Sequence, residues 1–143
     1  MTNEIIEIKR LSPSAKPVLI PLYGNKVRAG FASPADDFIE EYLDLNKLLI
    51  KHQEATFFVR VVGRSMVNVG IYPNDILIVD RSLEASNRDI IIAVIDGETT
   101  VKRLITNHPN GILLKAESKH HKDIPVHGEL HVWGVVTATI HQY

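Results

Sequence analysis

Residues Phe58 to Asp80 read FVRVVGRSMVNVGIYPNDILIVD. Two apolar runs flank a corner here. Phe57, Phe58, Val59, Val61 and Val62 are aromatic or β-branched, which suits a pleated, half-buried strand, and this run ends at Gly63. Tyr72-Pro73-Asn74-Asp75 is a cluster of turn formers, and Ile76 to Val79 is the second apolar run. The spacing predicts strand, corner, short connection, strand. Ser65 and Met66 sit on the corner. A serine held at the end of a strand is a candidate nucleophile, and the rest of the chain can be asked what it supplies to Ser65.

Toward the C-terminus the pattern stays β. Asp89 leads into the continuous apolar run Ile90 to Ile95, which suggests a strand buried on both faces. Asp96-Gly97 is a two-residue hairpin signal, and Glu98 to Ile105 is the expected return strand. Asn110-Gly111 opens a further strand, Ile112 to Ala116. Glu117 to Gly128 is polar, carries Pro125 and reads as loop. Glu129 to Ile140 is expected to be a long final strand with Gly134 as a bulge.

Toward the N-terminus the pattern weakens. Pro13, Pro17 and Pro21 interrupt Met1 to Ala29, so no helix is expected there. This segment reads as an arm, either extended along the domain or a tail. Ser33-Pro34-Ala35-Asp36 has the chemistry of a helix start. Phe38, Ile39 and Tyr42 recur at helical spacing, which predicts a helix from Pro34 to about Leu43. Asp44-Leu45-Asn46 then opens a short second turn, Lys47 to Ile50. The fold class expected is mainly β: an antiparallel β domain with a short N-terminal helix and an extended arm.

Composition narrows the function classes. The 143 residues suit one domain with a modest core. With 16 basic against 17 acidic residues, a dedicated DNA-binding protein is disfavoured. The absence of cysteine excludes disulfides, thiol catalysis and Cys-based zinc sites. No cofactor or metal is called for by any motif. No run approaches the roughly 18 to 20 apolar residues needed to span a bilayer, and the charged start MTNEIIEIKR is unlike a signal peptide. A cytoplasmic location is expected.

A serine hydroxyl needs a neighbour to accept its proton. Seven histidines are present, His52, His108, His120, His121, His127, His131 and His141, and none stands in an evident catalytic context. The other possible base is a neutral lysine, which must lose hydration to serve near pH 7. Lys102 is the lysine to examine, because it lies in the middle of the return strand. Strand alternation puts Thr100, Lys102 and Leu104 on one face. From this pattern alone, an exposed lysine on a half-buried hairpin is the simpler reading.

Three segments carry a family resemblance: GRSM at Gly63 to Met66, GIYPNDILIVDRS at Gly70 to Ser82, and DGETTVKRL at Asp96 to Leu104. Together they resemble the Ser-Lys self-cleaving domain shared by LexA-type repressors and UmuD-type mutagenesis proteins. Ala29-Gly30 is similar to the family's cleaved bond, and Phe31 to Val59 resembles UmuD-type proteins specifically. UmuD-type proteins often have Cys before the cleaved Gly, where this chain has Ala29, as LexA-type repressors do. The resemblance runs from about Pro21 to the last strand and does not extend over Met1 to about Lys16. It implies Ser65 as nucleophile, Lys102 as general base, backbone N–H groups of Ser65 and Met66 as oxyanion hole, and Ala29-Gly30 as the scissile bond. Residues 1–29 would be an arm removed by self-cleavage and residues 30–143 the peptidase-like domain. It further implies a homodimer, cleavage stimulated by a RecA–single-stranded-DNA filament, and a UmuC-type Y-family polymerase as partner in SOS translesion synthesis.

Three other classes compete. A LexA-like repressor needs a helix-turn-helix domain, on the order of 60 residues, where 29 proline-broken residues precede Gly30. A signal peptidase would be expected to carry an apolar membrane anchor. A catalytically inert dimeric interaction module would keep the fold but not the chemistry.

Overall fold

The computed structural model describes residues 4–23 and 39–143. In chain order the elements are β1 (Ile5–Lys9), β2 (Leu19–Tyr23), β3 (Ile39–Asp44), α1 (Leu45–Leu49), β4 (Thr56–Val61), β5 (Ile76–Asp80), β6 (Ile90–Ile95), β7 (Glu98–His108), β8 (Gly111–Lys115), β9 (Ile124–Pro125) and β10 (His131–Ile140). They form two compact units, Met1–Leu11 with His52–Tyr143, and Ser12–Lys51. The mainly β class is as expected.

The larger unit is an eight-stranded sheet in the order β1-β4-β5-β10-β6-β7-β8-β9. Every pairing in it is antiparallel. The central strands are buried on both faces: Leu77, Ile78 and Val79 on β5, and Ile91, Ile92 and Ala93 on β6, have no solvent exposure. One face gathers Val59, Val61, Met66, Leu77, Val79, Ile92 and Val101. The other gathers Ile91, Ala93, Leu104, Leu114 and Val135. Each such aliphatic side chain contributes about 1.5–3 kcal/mol on leaving water. The continuous apolar runs of the sequence are therefore the strands between these two cores.

Local chemistry sets the corners. Asp96 and Gly97 both adopt positive φ, 51° and 78°. A tight hairpin of this twist requires that geometry, and it places Lys102 opposite Ile91. Gly134 marks a register shift in β10 between Val132 and Gly134, as the bulge expectation had it. A Cβ on Gly134 would come 2.5 Å from Val79 Cγ1, so close packing of β10 on β5 needs a glycine there. The stretch expected as loop after β8 contains the two-residue strand β9, paired with Leu113 and Leu114.

In the N-terminal third the extended alternative for the arm is met at its beginning, and the helix expectation is not. Residues 5–9, at the arm's beginning, form an edge strand of the large sheet and pair with β4. The helix expected from Pro34 to about Leu43 is not present where residues are described: Ile39–Asp44 is a strand, paired with Leu19–Tyr23. Residues 34–38 lie outside the described residues, as do Ala29 and Gly30. The helical spacing misleads because a distant partner strand outweighs local propensity. Tyr42, which an amphipathic helix would turn inward, is instead 60% exposed. The short turn after Asp44 is present as α1, with the Asp44 carboxylate accepting from the Asn46 amide at 3.1 Å.

Candidate active site

The corner after β4 is built by backbone geometry that few residues tolerate. Gly63 takes φ of 85°, and Gly70, at φ 87°, ends a single 3-10 turn over Val67–Val69. Met66 anchors the corner in the first core at 2% exposure. The Glu117 amide donates to the Ser65 carbonyl at 2.8 Å, and the Asn68 amide donates to the Glu117 carbonyl at 2.8 Å. Ser65 is thus held from both directions at 2% exposure.

Lys102 reaches it from β7. Its Nζ donates to Ser65 Oγ at 3.0 Å, although 37 residues separate them in sequence. Lys102 itself is only 4% exposed. Nζ also donates to Thr100 Oγ1 at 2.6 Å and to the Val101 carbonyl at 3.2 Å. The strand alternation that put Thr100 and Lys102 on one face thus matches the geometry. The simpler reading of Lys102 as an exposed hairpin lysine does not hold.

The histidines are elsewhere. His52 Nδ1 lies 2.6 Å from Asp80 Oδ2, and His141 Nδ1 lies 2.5 Å from Asp75 Oδ1. Among the described residues, the side chains bonded to Ser65 Oγ are Lys102 and Glu4.

Glu4 is the residue that the sequence did not disclose. It lies just before β1, and its carboxylate enters the site. Ser65 Oγ donates to Glu4 Oε2 at 2.7 Å, and Lys102 Nζ donates to Glu4 Oε1 at 2.7 Å. Thr100 Oγ1 donates to the same Oε1, and the Val101 amide approaches it at 3.3 Å. Burial pushes the Glu4 carboxyl up, but the Lys102 and Thr100 bonds, the Lys102 charge and the Ser65 bond together outweigh it. The net shift is downward, so Glu4 is a carboxylate at neutral pH. No spacing rule links residue 4 to residues 65 and 102. The apolar–polar alternation of Ile6, Glu7, Ile8 and Lys9 was a usable signal for a strand next to Glu4.

A shallow cleft, with room for about 10 Å³ of water-sized volume, lies over Ser65. Val61, Met66, Ile71 and Val101 wall it, and Ser65 and Glu4 face into it. Chemically, a serine hydroxyl, a buried lysine and a carboxylate share one network of bonds here.

A model of the peptidase S24-like family matches residues 21–137. Protein SamA of Salmonella typhimurium is 42% identical over 134 residues, covering 92% of this chain and 94% of the relative. Protein MucA of Escherichia coli is 37% identical over 141 residues, covering 94% and 93%. A LexA repressor of Carboxydothermus hydrogenoformans is 36% identical over 126 residues, which span 87% of this chain and 60% of that repressor. Among the described residues, no helix is long and apolar enough to cross a membrane.

Proposed function

Because this chain belongs to the peptidase S24-like family, in its UmuD-type branch, we propose that it is a serine peptidase that cuts its own Ala29-Gly30 bond. The observation that carries the reading is the 3.0 Å approach of Lys102 Nζ to Ser65 Oγ, both almost out of water. In the reactive state a neutral Lys102 takes the Ser65 proton, and Oγ attacks the Ala29 carbonyl. Backbone N–H groups of Ser65 and Met66 hold the oxyanion. The Gly30 amine leaves with the proton returned from Lys102, and water hydrolyses the Ala29 ester to a carboxylate. A tethered substrate reacts at high effective concentration, so a modest site suffices. Small residues at positions 29 and 30 suit the narrow cleft.

The product, residues 30–143, is the active form in this reading. It is a cytoplasmic homodimer that joins a UmuC-type Y-family polymerase during SOS translesion synthesis. A RecA–single-stranded-DNA filament promotes the cut by favouring the cleavable arrangement of the arm. Similarity to proteins SamA and MucA along almost their whole lengths supports the UmuD-type role over that of a repressor.

The test is intact mass after incubation at alkaline pH, and separately with RecA, single-stranded DNA and nucleotide. The parent should yield a fragment beginning at Gly30, and Ser65→Ala and Lys102→Ala should not. A parent that stays whole under both conditions would overturn self-cleavage and leave an inert dimeric interaction module.

A further inference from the structure

We propose that Glu4 is an internal inhibitor, a carboxylate plug that holds the Ser65–Lys102 pair in an unreactive state until the N-terminal strand leaves. This rests on the self-cleaving reading of the same two residues and concerns how that site is kept off.

The bonds run against the reaction. Nucleophilic attack needs Ser65 O–H to donate to a neutral amine. Here Lys102 Nζ donates to Ser65 Oγ, and Ser65 Oγ lies 2.7 Å from a different acceptor, Glu4 Oε2. Glu4 Oε1, Thr100 Oγ1 and the Val101 carbonyl also lie within hydrogen-bond distance of Nζ, four acceptors around at most three N–H bonds. Nζ faces Oγ as a donor in this arrangement, and a donor cannot take the serine proton.

Glu4 is not itself the base. Its carboxyl is held below the ordinary carboxylate range, chiefly because the Lys102 and Thr100 bonds outweigh burial, and such a group takes a hydroxyl proton poorly. It also lines the cleft beside Ser65.

The backbone seats the plug as firmly as the side chain. The Glu4 amide donates to the Thr99 carbonyl at 3.1 Å, and the Val62 amide donates to the Glu4 carbonyl at 2.8 Å. Glu4 therefore bridges β7 and the chain leaving β4, the two segments that carry Lys102 and lead to Ser65. Gly63 makes room for it: a Cβ there would come 3.1 Å from Glu4 Oε2. Glu4 lies within the segment that cleavage at Ala29-Gly30 would remove.

Two readouts at pH 7.5 test this on the full chain. The first is formation of the Gly30 fragment. The second is phosphonylation of Ser65 by a fluorophosphonate, read as a mass increase absent in Ser65→Ala; Oγ bonds to phosphorus as fluoride leaves. Glu4→Gln, which keeps the shape and removes the charge, and Glu4→Ala, which removes both, should each accelerate both readouts by about tenfold. If either variant is phosphonylated faster than the parent but no Gly30 fragment forms, the plug stands and self-cleavage falls. If the parent yields the fragment and neither variant is phosphonylated faster, the plug is wrong. Slower phosphonylation of a folded Glu4→Gln would make Glu4 a catalytic base instead.

Discussion

Glu117 holds Ser65 in place through the backbone: its amide bonds the Ser65 carbonyl at 2.8 Å. Its side chain is in turn pinned by Arg103 Nε at 2.9 Å and Lys115 Nζ at 3.2 Å. The position of Ser65 therefore depends on an ion-pair network outside the site. Glu117→Ala should cost about 1 kcal/mol, a fall in Tm of about 2–4 °C. It should slow Gly30 fragment formation by about tenfold, because small misplacements of reacting groups are costly. Lys115→Ala, which leaves the Arg103 pair intact, should change neither much. Calorimetry and intact mass on the same samples check both statements.

Lys102→Arg should abolish fragment formation while Lys102 remains the only substitution. A guanidinium keeps its proton and cannot act as the base. An activity within about tenfold of the parent would remove Lys102 from that role. The measurement is intact mass at alkaline pH, where a lysine base would serve best.

Gly134→Ala and Gly97→Ala separate packing from backbone strain. The Gly134 methyl would meet Val79 Cγ1 at 2.5 Å, whereas nothing lies within 4 Å of a Cβ on Gly97, whose φ is 78°. Gly134→Ala should cost about 1–3 kcal/mol through overpacking. Gly97→Ala should cost about 1 kcal/mol through left-handed geometry alone. Urea unfolding of the two variants orders the costs, and a reversed order would contradict the close approach of β10 and β5.

Acid should destabilise the larger unit. Burial pushes the Asp80 carboxyl up, but bonds from Ser82 and His52 outweigh it and hold it low. Glu117 is likewise held low, with burial outweighed by Arg103 and Lys115. Glu4 follows the same direction. A carboxyl lowered on folding stabilises above its unfolded pKa, and that contribution is lost as pH falls through the folded pKa. Stability should thus decline below the ordinary carboxylate range, about pH 4. Asp80→Asn should cost about 1.5–3 kcal/mol at pH 7 and flatten the decline. Urea unfolding from pH 7 to pH 2.5 reads both effects.

What was legible in the sequence is what local chemistry dictates. Asp96-Gly97 announced its hairpin because few other residue pairs accept two positive φ values in succession. Ile90 to Ile95 announced a strand between two cores by having no polar side chain to turn outward. Ser65 and Lys102 were legible as motifs, and the sheet brings them to 3.0 Å. What failed was non-local. Ile39–Asp44 carries helical spacing, yet its backbone pairs with Leu19–Tyr23, a partner that no window around residue 40 contains. Glu4 lies 61 residues from Ser65 and 98 from Lys102 in the chain. Only the pairing of β1 with β4 brings it near, and short β-branched patches at a chain's beginning resemble a tail as closely as a strand.

Strand β1 lies on the side of the Ala29-Gly30 bond that cleavage would remove, yet it is laddered to β4, with Ile5 packed into the first core. If β1 must leave for the cut to occur, it can return afterwards only by non-covalent pairing. Cleavage would turn a strand of one chain into a ligand held by a second, with its own off-rate and its own sensitivity to dilution. Cutting and switching would then be separate events. A cleaved protein that takes β1 back would be a nicked complex, and its lifetime would be set by dissociation rather than by chemistry.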